Sequence, residues 1–478
     1  MTWSVDATGY EFARQVLQRG IAGVYLVAFF SAVAQFRPLL GEHGLLPAPR
    51  YLARVAGGGV PTIFRWHYSD RFLLLVAWAG AALAAVTVAG LPQLGPPWLP
   101  FFVFALMWTG YLSIVNIGQV FYGFGWESLL LEAGFLAAFL GSNETAPPVA
   151  VIWLVRWLVF RLEFGAGLIK IRGDSCWRDL TALYYHHETQ PMPNPASWFF
   201  HHLPKPLHKV EVAGNHFAQL IVPFFLFAPQ PVASVAAGII IVTQLWLVVS
   251  GNFAWLNVLT IVLAFSALGD GAAHAVLATV PAGVPDRAAT PLWFTAVVLV
   301  MTAGMLFLSY WPARNLLSRR QLMNASFNRW HLCNAYGAFG SITRRRYEVV
   351  VEGTDDDDPG TGARWREYEF KGKPGDPARM PRQFAPYHLR LDWMMWFLAL
   401  GSPGFSWFVP LLQRLLAADR PTLRLLRVDP FAGARPRWVR ARLFRYRYST
   451  PAERRASGLW WIREPAGEYV PPLRQGQD

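Results

Sequence analysis

Residues 156–216 read RWLVFRLEFGAGLIKIRGDSCWRDLTALYYHHETQPMPNPASWFFHHLPKPLHKVEVAGNH. The run opens as a membrane-length apolar segment yet carries Arg156, Arg161, Glu163 and Lys170 inside it. Arg156, Glu163 and Lys170 follow one another at seven-residue intervals, nearly two helical turns, so a helix stacks them on one face. A charge at membrane depth costs about 2.5–3.5 kcal/mol on insertion scales, so such groups turn toward a bundle interior or a wet cavity. Two readings follow: an internal ion-pair ladder that holds helices together, or a polar pocket with Lys170 at its mouth. Past the lysine the chain becomes polar. It crowds Asp174, Cys176, Trp177, Arg178, Asp179, His186, His187 and Glu188 into one loop, 172–212, a candidate ligand-binding loop.

The rest of the chain agrees with a membrane setting. Hydrophobic residues make up 54% of its 478 residues, aromatics 15%, and the mean hydropathy is +0.26, too apolar for an ordinary soluble protein. Several runs reach the roughly 18–20 apolar residues that cross a bilayer. The net charge of +13 comes mostly from arginine and reads as charge flanking membrane helices. No motif for RNA or DNA stands out, so the lipid bilayer is a partner and nucleic acid is not. With two cysteines, Cys176 and Cys333, there is no disulfide framework and no CxxC or zinc spacing.

In chain order, about nine spans are expected: 16–36, 71–92, 98–116, 121–141, 149–171, 214–229, 232–250, 252–269 and 290–312. Pro223 kinks or breaks the sixth. The third and fourth form a hairpin. A second large loop, 37–70, is broken by Gly57, Gly58, Gly59 and Pro61. Beyond Pro312 the character changes. YEVVVE at 347–352, WREYEF at 365–370, RWVRARLFRYRY at 437–448 and GLWWIRE at 458–464 read as strands. The aspartate run after Thr354 reads as a solvated turn. Leu389–Leu400 and Trp407–Ala418 read as amphipathic helices lying on the bilayer surface. The fold class is therefore a polytopic α-helical bundle, residues 1–312, followed by a β-rich extramembrane domain, residues 313–478, that carries amphipathic helices. Because membrane helices satisfy their own backbones, the bundle is expected to insert without that domain.

Within the spans, Glu127 and Glu132 need partners, and Arg156 or Arg161 can supply one. Asn116, Gln119, Gln244, Asn252 and Asn257 read as hydrogen-bonding glue between helices. The six histidines between 186 and 216 do not show the carboxylate–histidine spacing of a known metal helix, so no metal is expected. There is no GxSxG elbow, P-loop or dinucleotide fingerprint, and no cofactor is expected.

FGAGLIKIRGDSCWRDLT at 164–181 followed by HHETQPMPNPASW at 186–198 resembles the lipase maturation factor family of membrane proteins. The resemblance runs along the whole chain: FRPLLGEHGLLPAPRYL at 36–52, NIGQVFYGFGWESLLLE at 116–132, FNRWHLCNAYGAFGSITRRRYEV at 327–349, WREYEFKGKPGDP at 365–377, PYHLRLDWMMWF at 386–397, DPFAGARPRWVRARLFRYRY at 429–448 and GLWWIRE. It implies a non-catalytic factor in the bacterial inner membrane or the endoplasmic reticulum that helps secreted lipases or other exported clients fold, with the loop 172–212 and the C-terminal β domain as the client-facing surface. The positive-inside rule puts the arginine-rich face, with the C-terminal domain, in the cytoplasm. The family resemblance implies the exoplasmic side instead. A more distant resemblance links GLIKIRGDSCW and TQLWLVVSGNFAWLN (243–257) to the membrane part of vitamin K-dependent γ-glutamyl carboxylase. It implies an alternative enzyme acting on a lipid or quinone-like substrate, with Lys170 as general base. No histidine between 100 and 135 stands ready for that family's second catalytic role.

Overall fold

A single 30-residue helix, Glu11–Leu40, is the axis of the molecule. In the computed structural model, which describes residues 5–55, 58–278, 287–401 and 405–474, it buries Leu17, Ile21, Tyr25, Phe29, Ala32 and Phe36. Gly57 of the second loop lies outside the described residues. At 1.5 Å per residue the axis is about 45 Å long, roughly 15 Å more than a hydrocarbon core. Its last turns therefore reach beyond such a core and meet the C-terminal part of the chain. Ser31 and Gln35 do so: Gln35 Nε2 donates to the His388 carbonyl (2.7 Å), and Arg390 N donates back to Gln35 Oε1 (2.9 Å).

The axis packs against Asp70–Val88, where Gly80 leaves room for the Phe29 ring that a Cβ would strike at about 2.3–2.5 Å. Trp98–Ile117 and Gly125–Ala137 pack against each other through the 3-10 turn Gln119–Tyr122. Among the described residues, six helices are long and apolar enough to cross a membrane: Glu11–Leu40, Asp70–Val88, Trp98–Ile117, Lys205–Phe227, Val232–Ser250 and Leu292–Leu317. A seventh is gained if Leu256–Ala267 and Asp270–Val276, bent by 116°, count as one. The chain is thus a helical membrane protein. Two of the nine expected spans fail this test for visible reasons. Gly125–Ala137 has 13 residues, too short to cross alone, and Val149–Arg172 carries the charges discussed above. In the sixth, the helix begins earlier than expected, at Lys205, runs to Leu220, and gives way to a 3-10 stretch, Val222–Phe227, around Pro223. The missing N–H and the ring of proline account for that break.

After the last apolar helix come four antiparallel strands: β1 (Arg346–Thr354), β2 (Arg366–Tyr368), β3 (Trp438–Tyr448) and β4 (Trp461–Arg474), in the order β2-β1-β3-β4. Val349 faces Leu443, and Tyr446 faces Arg463. β3 and β4 are joined by the helix Pro451–Ser457. Thr450 and Glu453 cap it reciprocally, and it stops at Gly458, whose φ of 74° a β-carbon would disfavour. The long outer strand β4 holds Pro465, Pro471 and Pro472 and is bulged against β3, features that blunt an exposed edge.

The helices Arg390–Ala399 and Phe408–Leu416 correct one expectation. Their apolar sides, Leu391, Trp393, Met395 and Leu398 in one and Leu411, Leu412 and Leu415 in the other, are buried in the same continuous core as Tyr25 and Trp255. Apolar surface used inside the protein is not available to a bilayer surface, so the amphipathic pattern records core packing.

Candidate functional site: buried polar networks and the folded loop

Three polar networks sit within the core, and each ties membrane helices to another part of the chain. In the first, Glu132 pairs with Arg161, the side chains being 0% and 1% exposed. The carboxylate also accepts from Asn334 N (3.1 Å), Asn334 Nδ2 (2.9 Å) and the Tyr336 hydroxyl (2.8 Å). Arg161 donates to the Asn334 carbonyl (2.9 Å) and stacks near Trp157 and Tyr336. Every strong acceptor site on Glu132 is thus used, as a buried charge requires.

In the second, Arg390 donates to Glu127 (2.6 Å) and to the Phe121 carbonyl (2.8 Å), and lies over the Tyr122 ring. Tyr111 donates to the other oxygen of Glu127. Beside it, Trp126 Nε1 donates to His388 Nδ1 (3.3 Å). Burial, helped by the Arg390 charge, pushes His388 down to about 4, so its ring is neutral near pH 7.

The third network contains the heptad charges, and it is not the expected ion-pair ladder. Glu163 accepts from Gln219 Nε2 (3.2 Å) and from Gln244 Nε2, and Asn257 donates to Gln244 (2.7 Å). Lys170 Nζ donates to Gln219 Oε1 (2.7 Å) and lies 5.0 Å from the centre of the Trp177 ring. Gln219 therefore stands between lysine and carboxylate, its acceptor oxygen facing one and its donor nitrogen the other. Arg156 turns elsewhere, to the carbonyls of Ser266 (3.0 Å) and Leu226 (3.3 Å), where the broken helices leave acceptors free. Among the described residues no salt bridge joins Arg156, Glu163 and Lys170. The reason is rotational: seven residues fall about 20° short of two full turns. Glu163 and Lys170 therefore meet through Gln219 of the helix Lys205–Leu220, whereas Arg156 meets the ends of the broken helices.

The segment 172–212 is a packed layer of short helices. Asp174 caps Ser175–Arg178, accepts from Ile342 N, and pairs with Arg344 (2.8 Å), which holds its carboxyl well below the usual range. Trp177 is buried and donates to the Phe339 carbonyl (2.8 Å). His186 lies against Phe253 and Phe339, and His187 against Phe200; burial pushes them down to about 4 and about 3. Glu188 accepts from Tyr448 N (2.9 Å) in β3. Arg346 in β1 donates to the Glu188 (2.9 Å) and Pro191 (3.0 Å) carbonyls. Of the eight loop residues singled out from the sequence, Arg178 and Asp179 are the ones that stay exposed.

Asn252 spans from Pro193 to the backbone of Arg382, Phe384 and Ala385, whereas Gln244 and Asn257 link helices as expected. Asn116 and Gln119 reach loop carbonyls at Pro61 and Leu46. Cys176 and Cys333 are both buried and free. Sequence reasoning missed Arg390, His388, Asn334, Tyr336 and Gln219. The available signal was an arginine inside the apolar run LRLDWMMWF (389–397).

An apolar groove of about 300 Å³ lies between the helices Trp98–Ile117, Gly125–Ala137 and Leu292–Leu308. Phe101, Phe135, Val300, Met301 and Leu332 line it, with no titratable side chain among its lining residues.

A helical membrane bundle bound through buried charges to a C-terminal part that also carries an antiparallel sheet defines the class of this protein. Residues 12–275 match the lipase maturation factor transmembrane domain and residues 332–471 the lipase maturation factor C-terminal domain. Lipase maturation factor 1 of Bos taurus is 41% identical over 97% of this chain and 89% of its own length; the Homo sapiens protein of that name is 41% identical over 97% and 88%. Lipase maturation factor 2 of Homo sapiens is 30% identical over 98% and 83%. The chain belongs to the lipase maturation factor family. No solved structure matches it.

Proposed function

We propose that this chain is a membrane-embedded maturation factor for secreted lipases or related exported enzymes. The observation that carries the reading is the full-length likeness to proteins named lipase maturation factor, which spans both the helical part and the sheet. In this reading all nine apolar segments belong to the embedded bundle, with Gly125–Ala137 and Val149–Arg172 held in its centre. Residues 1–312 form the membrane unit and 313–478 the extramembrane unit. The exoplasmic face, periplasmic in a bacterium or lumenal in an endoplasmic reticulum, carries the loop 172–212 and the sheet, and the client meets them there. Arg178 and Asp179 supply exposed charge on that face.

The carboxylase-like alternative is not favoured. Lys170 is buried, its ammonium is engaged by Gln219 and Trp177, and it does not line the apolar groove. A general base needs a free lone pair within reach of substrate, which this arrangement does not offer.

The test is crosslinking and co-purification from the native host. Recovery of an exported lipase or a related exported enzyme supports the reading. Recovery of a stoichiometric quinone or lipid that depends on Lys170, with no exported protein, overturns it.

A further inference from the structure

At the polar end of the helix Lys205–Leu220, His208 and Glu211 project from one face at i and i+3 spacing. The helix Leu183–Thr189 brings His187 against them. His187 Nε2 lies 4.0 Å and His208 Nδ1 3.7 Å from the same carboxylate oxygen, Oε2 of Glu211. One ligand atom from each of the three residues lies within 4.8 Å of the other two.

Those separations are too long for hydrogen bonds. A buried imidazole ordinarily donates from one nitrogen and accepts at the other. Here His187 and His208 are 2% and 1% exposed, and none of their four ring nitrogens has a hydrogen-bond partner. Two adjacent unsatisfied rings aimed around one carboxylate oxygen are unfavourable as a purely structural arrangement. An ion bound at about 2.0–2.1 Å from each ligand in tetrahedral geometry would set the ligand atoms about 3.3 Å apart, a contraction of about 0.4 Å for His208 and about 0.7 Å for His187 toward Glu211, and of at most about 1.5 Å between the two rings, within reach of side-chain rotation. Glu211 is already oriented for this. Trp246 Nε1 donates to its other oxygen (2.6 Å), leaving Oε2 turned toward the histidines. Second-sphere donors of that kind fix ligating carboxylates in metal sites.

We propose that His187, His208 and Glu211 bind a divalent transition-metal ion of the zinc class. Two imidazoles and one carboxylate suit that class better than magnesium or calcium, which take oxygen-rich sites. Three protein ligands leave a fourth position for water or a client side chain. The ion would clamp the loop layer to the start of a membrane helix, two parts of the chain that converge at this point.

The test uses the full-length protein in detergent, stripped with chelator and dialysed, then titrated with zinc sulfate and separately with cobalt(II). The expected result is one zinc per chain by elemental analysis, a chelator-reversible rise in thermal midpoint, and the visible spectrum of four-coordinate cobalt. His208→Gln and Glu211→Gln should lose bound zinc while keeping the midpoint of the stripped wild type. Trp246→Phe, which removes only the orienting donor, should weaken zinc binding about 10–100-fold. His67→Gln, an exposed control, should leave it unchanged. If His208→Gln fails to fold, Glu211→Gln and Trp246→Phe still decide the matter. Wild-type protein that retains no zinc overturns the proposal, as does zinc that persists in both Glu211→Gln and Trp246→Phe.

Discussion

Replacing Glu132 by leucine removes the acceptor on which four donor groups converge. Arg161, the Asn334 backbone N–H, the Asn334 side chain and the Tyr336 hydroxyl all meet this carboxylate in a region closed to water. Breaking one side of a buried ion pair costs about 3–5 kcal/mol, because the remaining charge is left unpaired. Each orphaned neutral donor adds about 1–3 kcal/mol where nothing replaces its partner. Arg161 retains the Asn334 carbonyl, which lessens the loss without neutralising the charge. For a chain of 478 residues the shift is about 1 °C per kcal/mol, so the thermal midpoint of the detergent-solubilised protein should fall by at least about 3 °C. Glu132→Leu combined with Arg161→Met should recover part of that loss. The guanidinium is gone, while Asn334 and Tyr336 still lack an acceptor. Thermal unfolding followed by size-exclusion chromatography reads all four corners of the cycle. A Glu132→Leu midpoint within about 1 °C of wild type, or a double variant worse than the sum of the singles, would refute the reasoning.

Lys170→Met should leave client maturation intact in a well-expressed protein and lower its midpoint modestly; loss of maturation with an unchanged midpoint would instead revive the carboxylase-like reading. Both cysteines are buried and free, so a membrane-impermeant maleimide should label neither in the native protein and both after denaturation, with identical mobility under reducing and non-reducing conditions. His388 is held neutral and low, so between pH 6.5 and about 4 the unfolded chain binds more protons than the folded one. Its share of the stability should therefore be full above 6.5 and fall on acidification by up to about 1.4 kcal/mol per pH unit; His388→Gln should remove that share and leave the part that His186 and His187, also held low, contribute. Removing residues 313–478 strips Arg390 from Glu127 and Asn334 and Tyr336 from Glu132, so the truncated chain should be degraded or aggregate in detergent; a monodisperse, stable fragment would contradict the networks described.

Much of the architecture was legible because its signals are local. Apolar runs of membrane length located the helices, Pro223 marked a real break, and period-2 alternation at 437–448 found β3 to within a residue. Arg161 was among the partners named for Glu132. The networks as a whole were not legible, because their members lie far apart in sequence: Arg390 meets Glu127 across 263 positions. Heptad spacing suggested that Arg156, Glu163 and Lys170 act together; Gln219 does join Glu163 to Lys170, whereas Arg156 is satisfied separately by the Ser266 and Leu226 carbonyls. The loop 172–212 read as open because it is polar. In the fold its polar groups are matched by Arg344, Arg346 and the β3 backbone, distant segments that no local pattern announces. The expectation that the bundle inserts without the C-terminal part rests on backbone hydrogen bonds; the carboxylates of Glu127 and Glu132, which take partners from that part, bear instead on whether the inserted bundle is stable.

Maturation of exported lipases is read out by secretion. A host lacking this chain should release an exported lipase that is reduced in specific activity or retained, at unchanged transcript level. Wild type and Lys170→Met should restore the active enzyme, whereas Glu132→Leu should not. Lipase secreted with full specific activity in the absence of the chain would contradict the account.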